Sequence, residues 1–161
     1  MATTAIPASI NYLYNLFNTD VTLGAANPPV LVLDGPVASQ QYSPLMLWVG
    51  LSNPDSGGSP DLTATGAQQW GALGKYARIE MLTINCVAQA WSGVGDMLTV
   101  RTSAFGIVSA VEDLVRVNAS LGGNVLVVLP GVTGHRLQQG NNSGAYARVS
   151  FQITCKARLV S

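Results

Sequence analysis

Charge is the first thing this sequence is short of. Only 10% of its 161 residues are Asp, Glu, Lys or Arg, against roughly a quarter in an average soluble domain. Eight basic side chains balance eight acidic ones, so the formal net charge is zero. Lys and Arg stand singly along the chain, and no basic run exists to neutralise a phosphate backbone. Adhesive nucleic-acid binding is excluded on that ground; any contact with DNA would be loose. A free monomer with so few charges and a mean hydropathy of +0.30 is poorly protected against association. The expectation is a surface largely covered by neighbouring copies or partners. A well-packed protein with a Ser/Thr/Asn/Gln-rich surface is the plainer alternative.

Metal-ligating and membrane-spanning material is equally scarce. The two cysteines, Cys86 and Cys155, have no Cys or His at metal-ligand spacing, which removes a zinc site. They are expected free, as small core residues. The longest apolar runs, such as Val125 to Leu129, are far too short to cross a membrane. The start, Met-Ala-Thr-Thr-Ala-Ile-Pro, carries neither the cationic nor the apolar part of a signal peptide. Synthesis in the cytosol is expected, and the sequons at Asn118 and Asn141 then have no meaning.

What is present is a long alternation at the end of the chain. Ala147, Val149, Phe151, Ile153, Cys155, Ala157 and Leu159 fall on one face of Tyr146–Leu159, and Arg148, Ser150, Gln152, Thr154, Lys156 and Arg158 on the other. That is the period of a strand with one buried face. Its length far exceeds the usual five or six residues, which points to a surface that meets other subunits. Lys75 to Ala90 is a second long strand candidate, and Leu45 to Leu51 reads as a strand buried on both faces. Val30 to Leu33 is a further strand, closed by Asp34-Gly35-Pro36, and Val125 to Leu129 another.

Two helices are predicted. Ile6, Ile10, Leu13, Leu16 and Phe17 recur at helical spacing behind Pro7. Asp96 caps a longer helix to about Val117, with Met97, Val100, Ala104, Ile107, Val108, Val111, Leu114 and Val115 in one stripe. Ser52–Gln69 and Gly131–Gly144 show neither period and read as long flexible loops. The order implies a single α+β domain: a largely antiparallel mixed sheet with long strands and two helices on one face.

No catalytic set emerges. Gly93-Val94-Gly95-Asp96 lacks the third glycine of a dinucleotide fingerprint, since Leu98 holds its place. Gly50-Leu51-Ser52-Asn53-Pro54 fails the nucleophile-elbow pattern at Pro54. His135, the only histidine, sits in a Gly-rich stretch with no nucleophile or orienting acid beside it in sequence. A small hydrolase using Ser52 or His135 is the competing reading from another class. Glu112 and Asp113 are adjacent on the wet face of a helix and do not face one another. Arg78 and Glu80, with Arg148 and Arg158, are candidates for cross-strand or inter-subunit ion pairs. No cofactor is implied.

Several stretches together resemble the tail terminator proteins of long-tailed bacteriophages, in particular those of actinobacterial hosts. They are the N-terminal helix beginning Ala-Ile-Pro-Ala, the strand with Leu47-Trp48-Val49-Gly50 before a polar loop, and Gln69-Trp70-Gly71-Ala72-Leu73-Gly74 leading through Glu80 to Ala90-Trp91-Ser92-Gly93. The closing strand from Ala147-Arg148-Val149 to Leu159 completes the set. The resemblance implies a ring, usually a hexamer, seated on the last ring of tail-tube subunits. Such a ring stops tube growth and offers a docking face to the head, with DNA passing through the lumen. Its partners would be copies of itself, the major tail-tube protein and a head–tail connector or stopper, and it would reside in the virion neck after assembly in the host cytoplasm. Arg78, Glu80, Arg148 and Arg158 are then candidates for the subunit seam. Asp55, Asp61, His135 and Arg136, in the two loops, are candidates for partner contact. A connector, stopper or other tail-completion protein is the neighbouring reading, and a tail-tube subunit a third.

Overall fold

The computed structural model describes residues 3–37, 42–56, 59–71, 77–129, 131–141 and 143–160. It is an α+β fold built on one seven-stranded sheet. In chain order the elements are α1 (Ile6–Asn18), α2 (Val21–Ala25), β1 (Leu31–Asp34), β2 (Leu45–Val49), β3 (Ala64–Trp70), β4 (Ala77–Ser92), α3 (Met97–Val117), β5 (Val127–Val128), β6 (Thr133–Gly140) and β7 (Ala145–Val160). Two short 3-10 turns, Pro54–Ser56 and Leu121–Gly123, complete the set.

The spine is the antiparallel pair β4–β7, each strand 16 residues long. They are in register from Ala77 opposite Val160 to Ser92 opposite Ala145, a ribbon of roughly 50 Å at about 3.3 Å per residue. No single neighbour covers that length. Along the outer side of β4, β2 pairs with residues 86–90 and β3 with residues 78–84. Along the outer side of β7, β6 pairs with residues 146–152 and β5 with 155–156. Every pairing is antiparallel except β1 with β2, which is parallel.

Both helices with long apolar stripes lie on one face of this sheet. Ala145, Ala147, Val149, Phe151, Ile153, Cys155, Ala157 and Leu159 of β7 are all buried there. They meet Leu82, Ile84, Cys86, Ala88 and Ala90 of β4, and the stripe Val100, Ala104, Ile107, Val108, Val111 and Val115 of α3. Leu13 and Phe17 bring α1 into the same core. The opposite face carries a smaller apolar cluster of Leu33, Met46, Trp48, Leu51 and Val87. Since Leu47 and Val49 belong to the helix side and Met46 and Trp48 to this one, β2 is buried on both faces, as its composition predicts.

The helix ends have their expected chemistry. Asp96 caps α3, accepting from the Leu98 N–H at 3.1 Å and from the Thr99 hydroxyl. At the other end the Asn118 amide donates to the Leu114 carbonyl at 2.8 Å. Asp20 caps α2, a short helix with no sequence prediction behind it, through the Thr22 and Leu23 N–H groups, both at 2.9 Å. Gly122, in the turn after α3, has φ +66° and lies beneath the Tyr12 ring, 2.6 Å from where a Cβ would stand. A side chain there would push the Tyr12 ring aside, at a φ that residues other than glycine rarely adopt.

Both segments read as flexible loops are corrected in part. Residues 64–70 are β3 and residues 133–140 are β6, held by backbone pairing to the two spine strands. The long strand expected from Lys75 is described only from Ala77. Ala72, Leu73, Gly74 and Lys75, like Met1, Ala2, Gly57 and Gly58, lie outside the described residues.

Candidate functional site: a latched polar face between two bare edges

The face of the spine turned away from the helices is a ladder of polar cross-strand pairs. Thr83 and Thr154 share a hydroxyl hydrogen bond of 3.3 Å. The Gln152 amide donates to Asn85 Oδ1 at 3.1 Å, and Asn85 Nδ2 donates to the Leu62 carbonyl at 2.8 Å. Arg148 donates to Gln89 Oε1 from Nε at 3.0 Å and from Nη2 at 2.9 Å. Each pair sits directly across the β4–β7 register, so the ladder follows from period-2 alternation on two strands that share one polar face.

Residues 52–56 and 59–62 lie over this ladder. Asp61 organises the segment, accepting from the Ser52 N–H (2.6 Å), the Ser52 hydroxyl (2.7 Å) and the Asn53 N–H (2.8 Å). Burial pushes the Asp61 carboxyl up, and these hydrogen bonds outweigh it, leaving the group below its ordinary value. Asp55 ties the segment to the sheet. Arg148 donates to it from Nη1 at 2.7 Å and Nη2 at 3.1 Å, and these bonds hold the Asp55 carboxyl below the usual carboxylate range. Between this segment and β6 lies an open cavity of about 660 Å³, lined by Ser52, Asn53, Asp55, Arg136, Gln138 and Gln152 among others. It brings Asp55 and Arg136, two of the partner-contact candidates from distant parts of the chain, to one place. His135 is not among its lining residues. The Ser52 hydroxyl is spent on Asp61 as part of a folded loop.

The four seam candidates divide between faces. Arg148 stands opposite Gln89 and Arg158 opposite Ile79 on the polar side, whereas Arg78 stands opposite Leu159 and Glu80 opposite Ala157 on the helix side. The expected cross-strand ion pairs between the two groups are therefore not formed: the strand period puts a sheet between them. Glu80 is 1% exposed. It accepts from the Thr4 hydroxyl at 2.6 Å, the Ala5 N–H at 2.7 Å and the Gln68 amide at 3.0 Å. Burial pushes its carboxyl up, and the bonds from Ala5, Thr4 and Gln68 bring it below its ordinary value. Gln68 in turn donates to the Thr3 carbonyl at 2.7 Å and accepts from Arg78 at 2.8 Å. The segment before α1 is thus pinned across β3 and β4. Sequence reading offered Glu80 as an ion-pair and seam candidate beside Arg78; their two-residue spacing held no sign of this burial.

The remaining feature is the pair of flanking strands. In β3 every residue from Thr65 to Trp70 is exposed, and in β6 every residue from Thr133 to Gln139. Among the described residues each is paired on one side only, β3 to β4 and β6 to β7. His135 and Arg136 are carried on β6, next to a register shift between Thr133 and Arg136, and not on a loop. Among the described residues no group of three or more His, Cys, Asp or Glu is placed to hold a metal ion, and no helix is long and apolar enough to cross a membrane. No protein-family model matches this chain, and no curated protein matches it.

Proposed function

We propose that this chain is a structural virion protein, the tail terminator of a long-tailed bacteriophage. In this reading copies join head to tail into a closed ring, of six as in the proteins it resembles, that caps the tail tube. The ring ends tube polymerisation and presents a joining face to the head–tail connector or stopper. DNA passes its lumen without specific binding, in keeping with a net charge of zero and the absence of any basic run. The protein acts in the host cytoplasm during assembly and in the virion neck afterwards.

One observation carries this reading beyond the sequence resemblance: the sheet offers two different exposed edge strands, β3 and β6, on opposite sides. Two unlike edges suit a heterologous contact, which closes into a ring when the rotation allows and otherwise makes a filament. The cavity that gathers Asp55 and Arg136 supports the assignment of residues 52–55 and β6 as a contact face for the tube or the connector.

Mass-resolved gel filtration with negative-stain microscopy tests the proposal. Closed rings of about six copies, able to cap tails in an assembly reaction, are the expected result. Long tubes would replace it with a tail-tube subunit. Rings that join heads without ending tube growth would replace it with a connector, stopper or other tail-completion protein. Loss of assembly-independent hydrolytic activity in His135→Ala would overturn it altogether.

A further inference from the structure

We propose that the subunit seam is an antiparallel strand junction in which β3 of one copy pairs with β6 of the next. The inference rests on the ring-forming reading above and names the surface that makes the ring.

Backbone geometry supplies the first argument. The Asn85 N–H donates to the Thr63 carbonyl at 3.0 Å, and the Gly71 N–H donates to the Ala77 carbonyl at 2.9 Å. Hydrogen-bonded pairs alternate along an antiparallel ladder, so the odd residues of β3 face β4. Ala64, Gly66, Gln68 and Trp70 then turn their N–H and C=O groups outward, a free template for another strand.

The usual defences of such an edge are missing from β3. It is Ala-Thr-Gly-Ala-Gln-Gln-Trp, with no charged residue and no proline. It is also held ready: Gln68 is fastened through Glu80 and Thr3 to the segment before α1. The β6 strand, Thr-Gly-His-Arg-Leu-Gln-Gln-Gly, carries a single Arg.

Chain direction and side-chain faces select β6 as the occupant. The order β3–β4–β7–β6 is antiparallel at every step. Copies related by rotation therefore bring β6 against β3 in the antiparallel sense, with no strand reversed. On the helix side each edge strand exposes one large apolar residue. Trp70, opposite Arg78, is 72% exposed, and Leu137, opposite Val149, is 40% exposed. The junction puts both on the same face and covers them together. On the other face Thr65, Ala67 and Gln69 meet Arg136 and Gln138, all polar or small. Finally, β3 lies level with residues 78–84 of β4 and β6 with residues 85–91. That is a stagger of about 23 Å along the strands at roughly 3.3 Å per residue, so successive copies are offset and their strands tilt, as closure of a sheet on itself requires.

The test uses one charge on each edge. Ala67→Lys spoils β3 and leaves β6 intact; Leu137→Lys does the reverse, with Gln139→Lys in its place should the Leu137 variant fail to fold. Each variant, checked for native secondary structure by circular dichroism, is examined by analytical ultracentrifugation alone and in a 1:1 mixture. The expected result is that wild type assembles, each variant is monomeric, and the mixture stops at a dimer, because one intact β3 meets one intact β6. Variants that assemble like wild type, a mixture that stays monomeric, or a wild type monomeric at every concentration would each overturn the seam. The outcomes also separate the two proposals. Closed rings indifferent to either lysine sink the seam and leave the terminator reading. Open fibres abolished by either lysine uphold the seam and sink the terminator reading.

Discussion

Arg148 and Asp55 are joined by two hydrogen bonds, 2.7 and 3.1 Å, across 93 residues of sequence. The arginine is a spine residue whose side chain is only 11% exposed, while the aspartate it holds is 72% exposed at the rim of the cavity. A guanidinium fixed by Gln89 on one side, and lying 5.9 Å from the Tyr146 ring centroid, is thus the peg on which the turn at residues 54–56 hangs. Its fork geometry explains why it serves two acceptors at once.

Removing the latch from its exposed end should cost little. Asp55→Asn is expected to lower the unfolding free energy by less than about 1 kcal/mol, with the difference shrinking at high salt. Arg148→Ala also strips the Gln89 contacts and should cost more, about 1–2 kcal/mol. Urea unfolding at low and high salt distinguishes them. Because the Asp55 carboxyl is lowered in the fold, its contribution is present above the ordinary carboxylate range and is lost as pH falls through the depressed folded value.

Glu80 should matter more than any exposed charge. Glu80→Gln leaves the Ala5 N–H and Thr4 hydroxyl with a weaker acceptor in a buried site, at a cost of about 1–3 kcal/mol near neutral pH. The Glu80 carboxyl is also lowered on folding, so the wild-type advantage is complete above the ordinary carboxylate range. It fades as acid titrates the group in the folded protein. Unfolding curves for both proteins, taken from neutral pH downward, should converge; a constant gap down to strongly acidic pH would refute the assignment.

Phe151 is 1% exposed at the centre of the helix-side core, across the register from Cys86. Phe151→Ala is expected to destabilise by about 3–5 kcal/mol through lost burial and the cavity left behind. A thermal melt would register that as a large drop in midpoint, whereas Lys156→Ala, on the exposed side of the same strand, should barely move it.

The two thiols should be inert in the native state. Both are buried, and burial pushes Cys86 and Cys155 up to about 12. Thiolate, the reactive form, is then almost absent at pH 8. Cys86 stands opposite Phe151 and Cys155 opposite Leu82, so they are not cross-strand neighbours. Alkylation monitored by mass should show no adduct until denaturant is added, and two adducts afterwards.

The elements legible in the sequence are those whose side chains meet two different environments. The β7 strand has apolar residues facing the helices at every second position, and that contrast is written directly as alternation. The α3 stripe and its Asp96 cap are legible for the same reason, at the helical period. The strands β3 and β6 escaped because neither has a buried face. With solvent on both sides there is no alternation to read, and Gly, Gln and Thr in such a stretch look like loop. Likewise the loop residues Asp55 and Asp61 were recognisable as special, but not what each would hold.

By itself, then, the sequence determined which surfaces must be buried: one face of β7, one stripe of each long helix, both faces of β2. Those choices follow from hydrophobic period, which is local. Only the tertiary structure decided that Glu80 is buried under the segment before α1, that Arg148 reaches Asp55, and that β3 and β6 are strands with an open side. Each of these depends on backbone or polar partners far apart in the chain, and a hydrogen bond leaves no mark on the local pattern of apolar residues.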